Sequence, residues 1–272
     1  MSLLRLPWTT ELFDAPMRAI RRAGLLWTVS IVGLVALTVA FWPSFKGQTT
    51  MTDMLNQMPP GLLQAFGLAD FGSPAGYLRG NLYALLVPLL LAGAGLGFAN
   101  SLTASEEDGG RMEEFLAQPV SRQGLFAGRA AAAFAWVIIL TVATAVAQFI
   151  LDAFVDLSIG ADRLIATVAL SGLLALFHVG LALAIAGFLA RPSLVLGGGL
   201  FIAIAGCTVA SLFPLSAPLK AWAHVSPWDW ALSGDPLRNA TEVWRYLALG
   251  VPAVALALLG VWAFSRRDVR AA

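Results

Sequence analysis

The chain has 272 residues, 58% of them hydrophobic and 12% charged, with a formal net charge of +1. Soluble domains carry about 25% charged residues, so half that proportion and a mean hydropathy of +0.78 argue against an aqueous fold. The near-neutral charge offers no basic surface for nucleic acid, and a single cysteine, Cys207, rules out an internal disulfide and reads as a small packing residue.

Run length decides the class. A hydrocarbon core about 30 Å thick takes roughly 20 apolar residues at 1.5 Å rise each. Six stretches meet that test without a charge: Ala23–Phe45, Leu82–Leu102, Ala130–Leu151, Leu164–Ala190, Leu194–Phe213 and Tyr246–Phe264. The sequence therefore predicts an all-α polytopic membrane protein. A single six-helix membrane domain occupies 23–272, with a short segment, 1–22, before it. The first run is long enough to span, so no cleavable signal peptide is expected.

The segment "LLRLPWTTELFDAPMRAIRR" precedes the first span. Leu12, Phe13, Met17 and Ile20 can share a helical face, with Asp14, Arg18, Arg21 and Arg22 toward water. Asp14 is a candidate N-cap with Pro16 just inside the helix. The pattern predicts an amphipathic helix lying in the headgroup region; a plain basic flank that only sets topology is the alternative.

Basic residues set the orientation. With both termini on one side, Arg5, Arg18, Arg21, Arg22, Arg111, Arg122, Arg129, Arg191, Arg266, Arg267 and Arg270 fall there, eleven of the seventeen Lys and Arg. Lys46, Arg79, Arg163, Lys220, Arg238 and Arg245, six, fall opposite. The excess predicts cytoplasmic termini. Trp27 and Trp262 then lie near inner ends and Trp42 and Trp244 near outer ends, as an aromatic belt requires. Pro88 and Pro252 fall inside spans and predict local bends. Gly93, Gly95 and Gly97, and the run Gly197–Gly199, predict close helix approach, within the bundle or at a dimer seam.

Two external loops are long, 46–81 and 214–245. The second contains "SPWDWALSGDPLRN", too apolar for a solvated linker. It predicts a gate-like segment that caps the bundle or dips into the outer leaflet, with Trp228, Trp230, Asp235 and Pro236 its notable residues; an ordinary interfacial loop is the alternative.

The cytoplasmic loop 103–129 carries "ASEEDGGRMEEFLAQPVSR", Ala104 to Arg122. At about 3 kcal/mol per charge at a helix centre, its five acids would cost on the order of 15 kcal/mol in lipid. They are therefore placed in water. Gly109 and Gly110 break the preceding helix, and Asp108 is a credible cap for the next. Met112, Phe115 and Leu116, at i, i+3 and i+4, form an apolar stripe; Glu113 and Glu114 point away. Pro119 ends the helix. Two readings fit: a solvated charged hairpin, or a lever pressed by a soluble partner.

The stretch resembles the signature of ABC-2 type transporter permeases. The matching residues are Glu106, Glu107, Gly110, Met112, Glu113, Phe115, Leu116, then Gln118, Pro119, Val120, Ser121 and Arg122. Arg111 and Glu114 depart from it, standing where a small and an aliphatic residue are usual. Six spans, an amphipathic lead-in, an ordered last external loop and a terminal Arg266-Arg267-Asp268 extend the resemblance along the chain. It implies a coupling helix seated in a cleft of a separate ATP-binding subunit. Two such subunits and two permeases, copies or paralogues, would form an exporter in the plasma or inner membrane. ATP and magnesium would sit on the partner. This chain carries no Gly-x-x-x-x-Gly-Lys-Ser/Thr loop to cradle phosphates, so no enzymatic activity, catalytic residue, metal or cofactor is expected on it.

Inside the predicted spans there is no Asp, Glu, Lys or Arg, which weakens a proton- or ion-coupled secondary carrier, the main alternative. His178 and Gln148 are the polar candidates there, for inter-helix bonding or for a pathway. Apolar walls suit a hydrophobic or amphiphilic cargo such as a drug, antibiotic, peptide or lipid. An intramembrane enzyme is disfavoured: no HExxH occurs and His178 and His224 are far apart in sequence.

Overall fold

The computed structural model describes residues 7–46, 54–55, 57–65, 68, 70–155 and 157–268. Arg5 and Arg270 of the charge count, residues 1–6 of the lead-in and part of the 46–81 loop lie outside the described residues.

Among the described residues every regular element is helical. The helices are α1 (Pro7–Ala19), α2 (Arg21–Phe45), α3 (Pro60–Ala65), α4 (Pro74–Leu78), α5 (Leu86–Leu102), α6 (Ala104–Asp108), α7 (Arg111–Leu116), α8 (Arg122–Val155), α9 (Ala161–Leu189), α10 (Gly199–Leu212), α11 (Pro227–Leu232) and α12 (Val243–Arg266). A π-helical turn at Arg79–Tyr83 precedes α5, and another at Leu194–Gly198 runs directly into α10. Six stretches are long and apolar enough to cross a membrane: Arg21–Phe45, Pro74–Asp108, Arg122–Val155, Ala161–Leu189, Leu194–Leu215 and Val243–Arg266. In lipid a helix is the economical solution, because it satisfies its own backbone polar groups.

Helix α9 is the axis of the bundle, burying 67% of its most apolar window, whereas α2 and α10 bury 22% each. On α2 the buried residues Ile31, Val35, Val39 and Trp42 form one stripe, while Leu26 and Val29 are 69% and 71% exposed. Lipid-facing apolar side chains need no burial in protein.

The tightest seam joins α9 to α12. A Cβ on Gly180 would fall on the Ala253 carbonyl, one on Gly187 on the Gly260 carbonyl, and one on Gly260 on the Leu183 carbonyl. Gly180 and Gly187, and Ala253 and Gly260, are each seven residues apart, so the contact repeats with the heptad period and the backbones meet directly. This seam was not among the glycines expected to pack. Of those, Gly95 meets Val179 and Val137 and Gly199 meets Leu96, whereas Gly93, Gly97, Gly197 and Gly198 face open space.

Other expectations are corrected locally. The bend expected at Pro88 takes the form of a break in the turn before it. The chain leaves helical geometry at Leu85 (φ −144°, ψ −57°) and restarts, so Pro88 sits in a first turn, where a missing N–H costs nothing. Pro252 lies inside an unbroken α12. Trp42 is not a belt residue. It is 2% exposed and packs 5.1 Å from Tyr77, ring centre to ring centre. Asp14 caps nothing: α1 runs through it, with Pro16 internal. Phe13 points outward while Leu12, Pro16, Met17 and Ile20 turn inward.

Helix α1 folds back on α8. Gly128 admits the Leu12 carbonyl, Gly24 lies against the face of Trp136, and the Trp136 indole N–H donates to the Met17 carbonyl at 3.3 Å. Both described ends of the chain, with α6 and α7, thus gather at one end of the bundle; α4 and α11 occupy the other.

The seam makes a testable expectation. Gly187→Val should lower stability by about 1–3 kcal/mol, the usual cost of overpacking, read as a lower unfolding temperature in detergent. Gly197→Ala, on an open face, should leave it within about 0.5 kcal/mol of the parent.

Candidate functional site

At the end that gathers the described ends of the chain, the five acids of Ala104–Arg122 separate into two groups. Glu106 and Glu107, on α6, turn inward and are 8% and 3% exposed. Arg129 of α8 donates from Nε to Glu106 Oε2 at 2.7 Å and lies over the Phe115 ring at 4.5 Å. Arg267, just past α12, makes a bidentate pair with Glu107, both contacts 2.5 Å. Its Nε also donates to the Gly187 carbonyl at 2.7 Å, and Arg122 donates to the Arg267 carbonyl at 2.6 Å. Beneath them the rings of Phe126 and Phe264 stack at 4.9 Å. Charge-assisted forks of this kind fix geometry as well as charge.

The expectation that all five acids lie in water therefore holds only in part. Glu113 and Glu114 are exposed on α7 with Arg111, while Met112 is buried and Phe115 and Leu116 are half-buried. The apolar stripe does pack on the bundle, as the i, i+3, i+4 spacing required. Between α6 and α7 the turn is made by Gly110, at φ 74°, which is also the residue that caps α7. Asp108 does not cap it. A left-handed residue at a helix junction favours glycine, because a Cβ there meets the following carbonyl. Helix α7 ends at Leu116, and Pro119 is exposed beyond it.

Gln148 and His178, inside the bundle, each form a hydrogen bond through one side-chain atom. The Tyr83 hydroxyl donates to Gln148 Oε1 at 3.1 Å, while Gln148 Nε2 is buried without a partner. His178 Nδ1 bonds the Leu174 carbonyl of its own helix at 2.8 Å, not a neighbouring helix. Its ring lies 6.5 Å from that of Trp228.

That contact shows how far the last loop reaches. Ser226 opens α11 by accepting from Trp228 N at 3.2 Å and donating to the Gly206 carbonyl at 2.7 Å, with Pro227 at the first position. Trp228 packs among Leu170, Leu174 and Leu249, so the loop dips onto α9 and α12, with Gly206 of α10 beside it. Trp230 donates to the His224 carbonyl at 2.7 Å, and Pro236 is buried. Asp235 (φ 49°) holds Arg79 at 2.7 Å; Arg238 reaches Asp70 at 2.5 Å and Ser73 at 3.0 Å. The two long loops are thus strapped together over a cavity of about 250 Å³, walled by Arg79, Tyr83, Lys220, His224, Trp228 and Asp229. Among the described residues no three His, Cys, Asp or Glu side chains converge to hold a metal.

The profile of the family described as ABC-2 family transporter protein matches residues 12–269. The chain belongs to that family. No individual curated protein matches it. As an ABC-2 protein with six apolar spans it is a multi-pass membrane permease, and membership implies partnership with an ATP-binding subunit and with membrane lipid.

In this ABC-2 permease the residues sequence reasoning missed are Arg129 and Arg267, as the partners of Glu106 and Glu107, and the Arg79–Asp235–Arg238–Asp70 strap. No local pattern pairs residues 160 positions apart. The Ser73-Pro74 and Ser226-Pro227 starts of α4 and α11 were legible as an N-cap followed by proline at the first turn.

Breaking the bidentate Arg267–Glu107 pair should be costly from either side. Glu107→Gln or Arg267→Gln alone should destabilise by about 3 kcal/mol, since each takes the bidentate counter-charge from a shielded partner. The double variant should cost clearly less than the sum, a coupling that a double-mutant cycle in detergent unfolding would read.

Proposed function

We propose that the chain is the permease subunit of an ATP-driven exporter in the plasma or inner membrane, with both termini cytoplasmic. Helix α7 acts as its coupling helix. Two ATP-binding subunits, carrying the nucleotide and magnesium, would each receive one α7 from two permeases, either two copies of this chain or this chain and a paralogue. The cargo is a hydrophobic or amphiphilic molecule, taken from the cytoplasm or inner leaflet.

The observation that carries this reading is the division of labour across the Gly110 turn. On one side Arg111, Glu113 and Glu114 are exposed; on the other, Glu106 and Glu107 anchor α6 to α8, α9 and α12 through Arg129 and Arg267. A push on α7 is thereby delivered to the helices that meet backbone to backbone at the Gly180 and Gly187 seam. The α11 segment and its ion-paired strap stand at the opposite end, where a release gate belongs. Rigid coupling of two ends through packed elements with discrete arrangements is the physical requirement for transmission.

The test is charge reversal on the exposed face alone. Glu113→Lys with Glu114→Lys should leave membrane insertion and unfolding temperature unchanged. It should lower ATP-driven transport by the assembled complex about tenfold or more, through like-charge contact or lost complementarity at the docking cleft. Unchanged transport would contradict the lever. A gradient-driven flux through liposomes holding this chain alone would favour a secondary carrier instead.

A further inference from the structure

Helix α9 is buried along most of its length but surfaces at its last turn, where Phe188 and Leu189 are exposed. Beside it α12 presents Leu258, Trp262 and Arg266, spaced four residues apart and all exposed, so they share one helical face. The two helices run parallel, with Gly180 meeting Ala253 and Gly187 meeting Gly260. That constant offset brings the end of α9 level with the last turn of α12. The Phe188 and Trp262 rings lie 6.4 Å apart, edge to face, and the Arg266 guanidinium lies over the Trp262 ring at 4.9 Å.

Charge at this corner is one-sided. Arg267 follows Arg266, and its carbonyl accepts from Arg122; Arg191 comes directly after Ala190, the C-cap of α9. Among the described residues Arg122, Arg191 and Arg266 have no carboxylate within ion-pair distance, and Glu107 is taken by Arg267. Asp268, exposed at the end of α12, is the other carboxylate here. Four guanidiniums therefore face two carboxylates. The partial negative charge of a helix C-terminus would work against an anion, but Arg267 answers it on α9 by donating to the Ala186 and Gly187 carbonyls. A guanidinium held by its face keeps its N–H edge free, and that edge matches a phosphate bidentately.

The apolar half of the patch decides between a free anion and a lipid. In a chain with six helices able to cross a membrane, a face of Leu258, Trp262 and Phe188 that ends in arginine lies against acyl chains, and the group that follows those chains outward is the phosphate. A net anionic headgroup gains from the excess positive charge, whereas a choline ammonium is repelled by it.

We propose that the corner between α9 and α12 binds one anionic phospholipid. Its phosphate is held by Arg266 with Arg191, and an acyl chain lies along Phe188, Trp262 and Leu258. The bound lipid braces the helix ends that the Arg267–Glu107 pair fastens from the other side.

The full-length protein in neutral detergent, titrated with dioleoyl phosphatidylglycerol and dioleoyl phosphatidylcholine and read by native mass spectrometry, tests this. Phosphatidylglycerol should be retained on the order of tenfold more tightly, the worth of one charge-assisted hydrogen bond. Arg266→Gln should remove most of that preference and Arg191→Gln part of it. Trp262→Leu, which keeps the face apolar but removes the ring beneath Arg266, should weaken retention of phosphatidylglycerol and serves if Arg266→Gln unfolds. Arg21→Gln deletes the same charge from another exposed position and should leave the preference intact. Equal retention of the two lipids by the parent, or an equal loss in Arg21→Gln, would reduce the effect to diffuse attraction and overturn the site. A changed subunit number in Arg266→Gln with the lipid preference intact would assign the face to a second copy of the chain instead. None of these readouts needs an ATPase, so a failure here leaves the coupling reading where it stood.

Discussion

The Arg267 guanidinium holds together segments that the sequence keeps far apart. One side chain forks onto Glu107 of α6 and donates to the Gly187 carbonyl of α9, and its own carbonyl is held by Arg122 at the start of α8. Arginine suits the position because its donors are fixed in a plane and remain charged. Around this point the backbone contacts of α9 with α12 are already set by Gly180, Gly187 and Gly260. The ion pair therefore fastens α6 to a rigid pair of helices, and the short α7 inherits its position through a single glycine turn.

The opposite end is organised by a different economy. A loop that enters a bundle must bring partners for its backbone. The α11 segment does so with Ser226, which caps its own helix and bonds the Gly206 carbonyl, and with Arg245, which donates to the Trp230 carbonyl at 2.9 Å. Trp228 supplies the apolar anchor. The strap of Arg79, Asp235, Arg238 and Asp70 then joins this loop to the segment before α5. Its charges are partly solvated, so it sets register more than it adds stability. One end of the permease is thus tied by buried ion pairs and the other by a wedge of aromatic packing under a looser ionic cover.

The helical class, the six crossings and the amphipathic character of α7 were readable from the residues, because each depends on local spacing or on run length alone. Met112, Phe115 and Leu116 packed where the helical period put them. The failures share a cause. Asp108 and Asp14 have the right residue type for caps, but in one case a left-handed glycine intervenes and in the other the helix had already begun. Trp42 has the right position for a belt but the wrong rotational face. Residue type proposes such roles; helix rotation decides them.

By itself the sequence determined how many times the chain can cross a bilayer and which stretch cannot enter it. These follow from transfer free energies and periodicities that act over at most a few turns. Only the tertiary structure decided which of the five acids are buried and which are presented, which glycines form a seam and which lie open, and how deeply the last loop inserts. Each of those depends on the rotation of one helix about its axis relative to another. That rotation is fixed by contacts across as many as 168 positions, a range at which no residue pattern carries information.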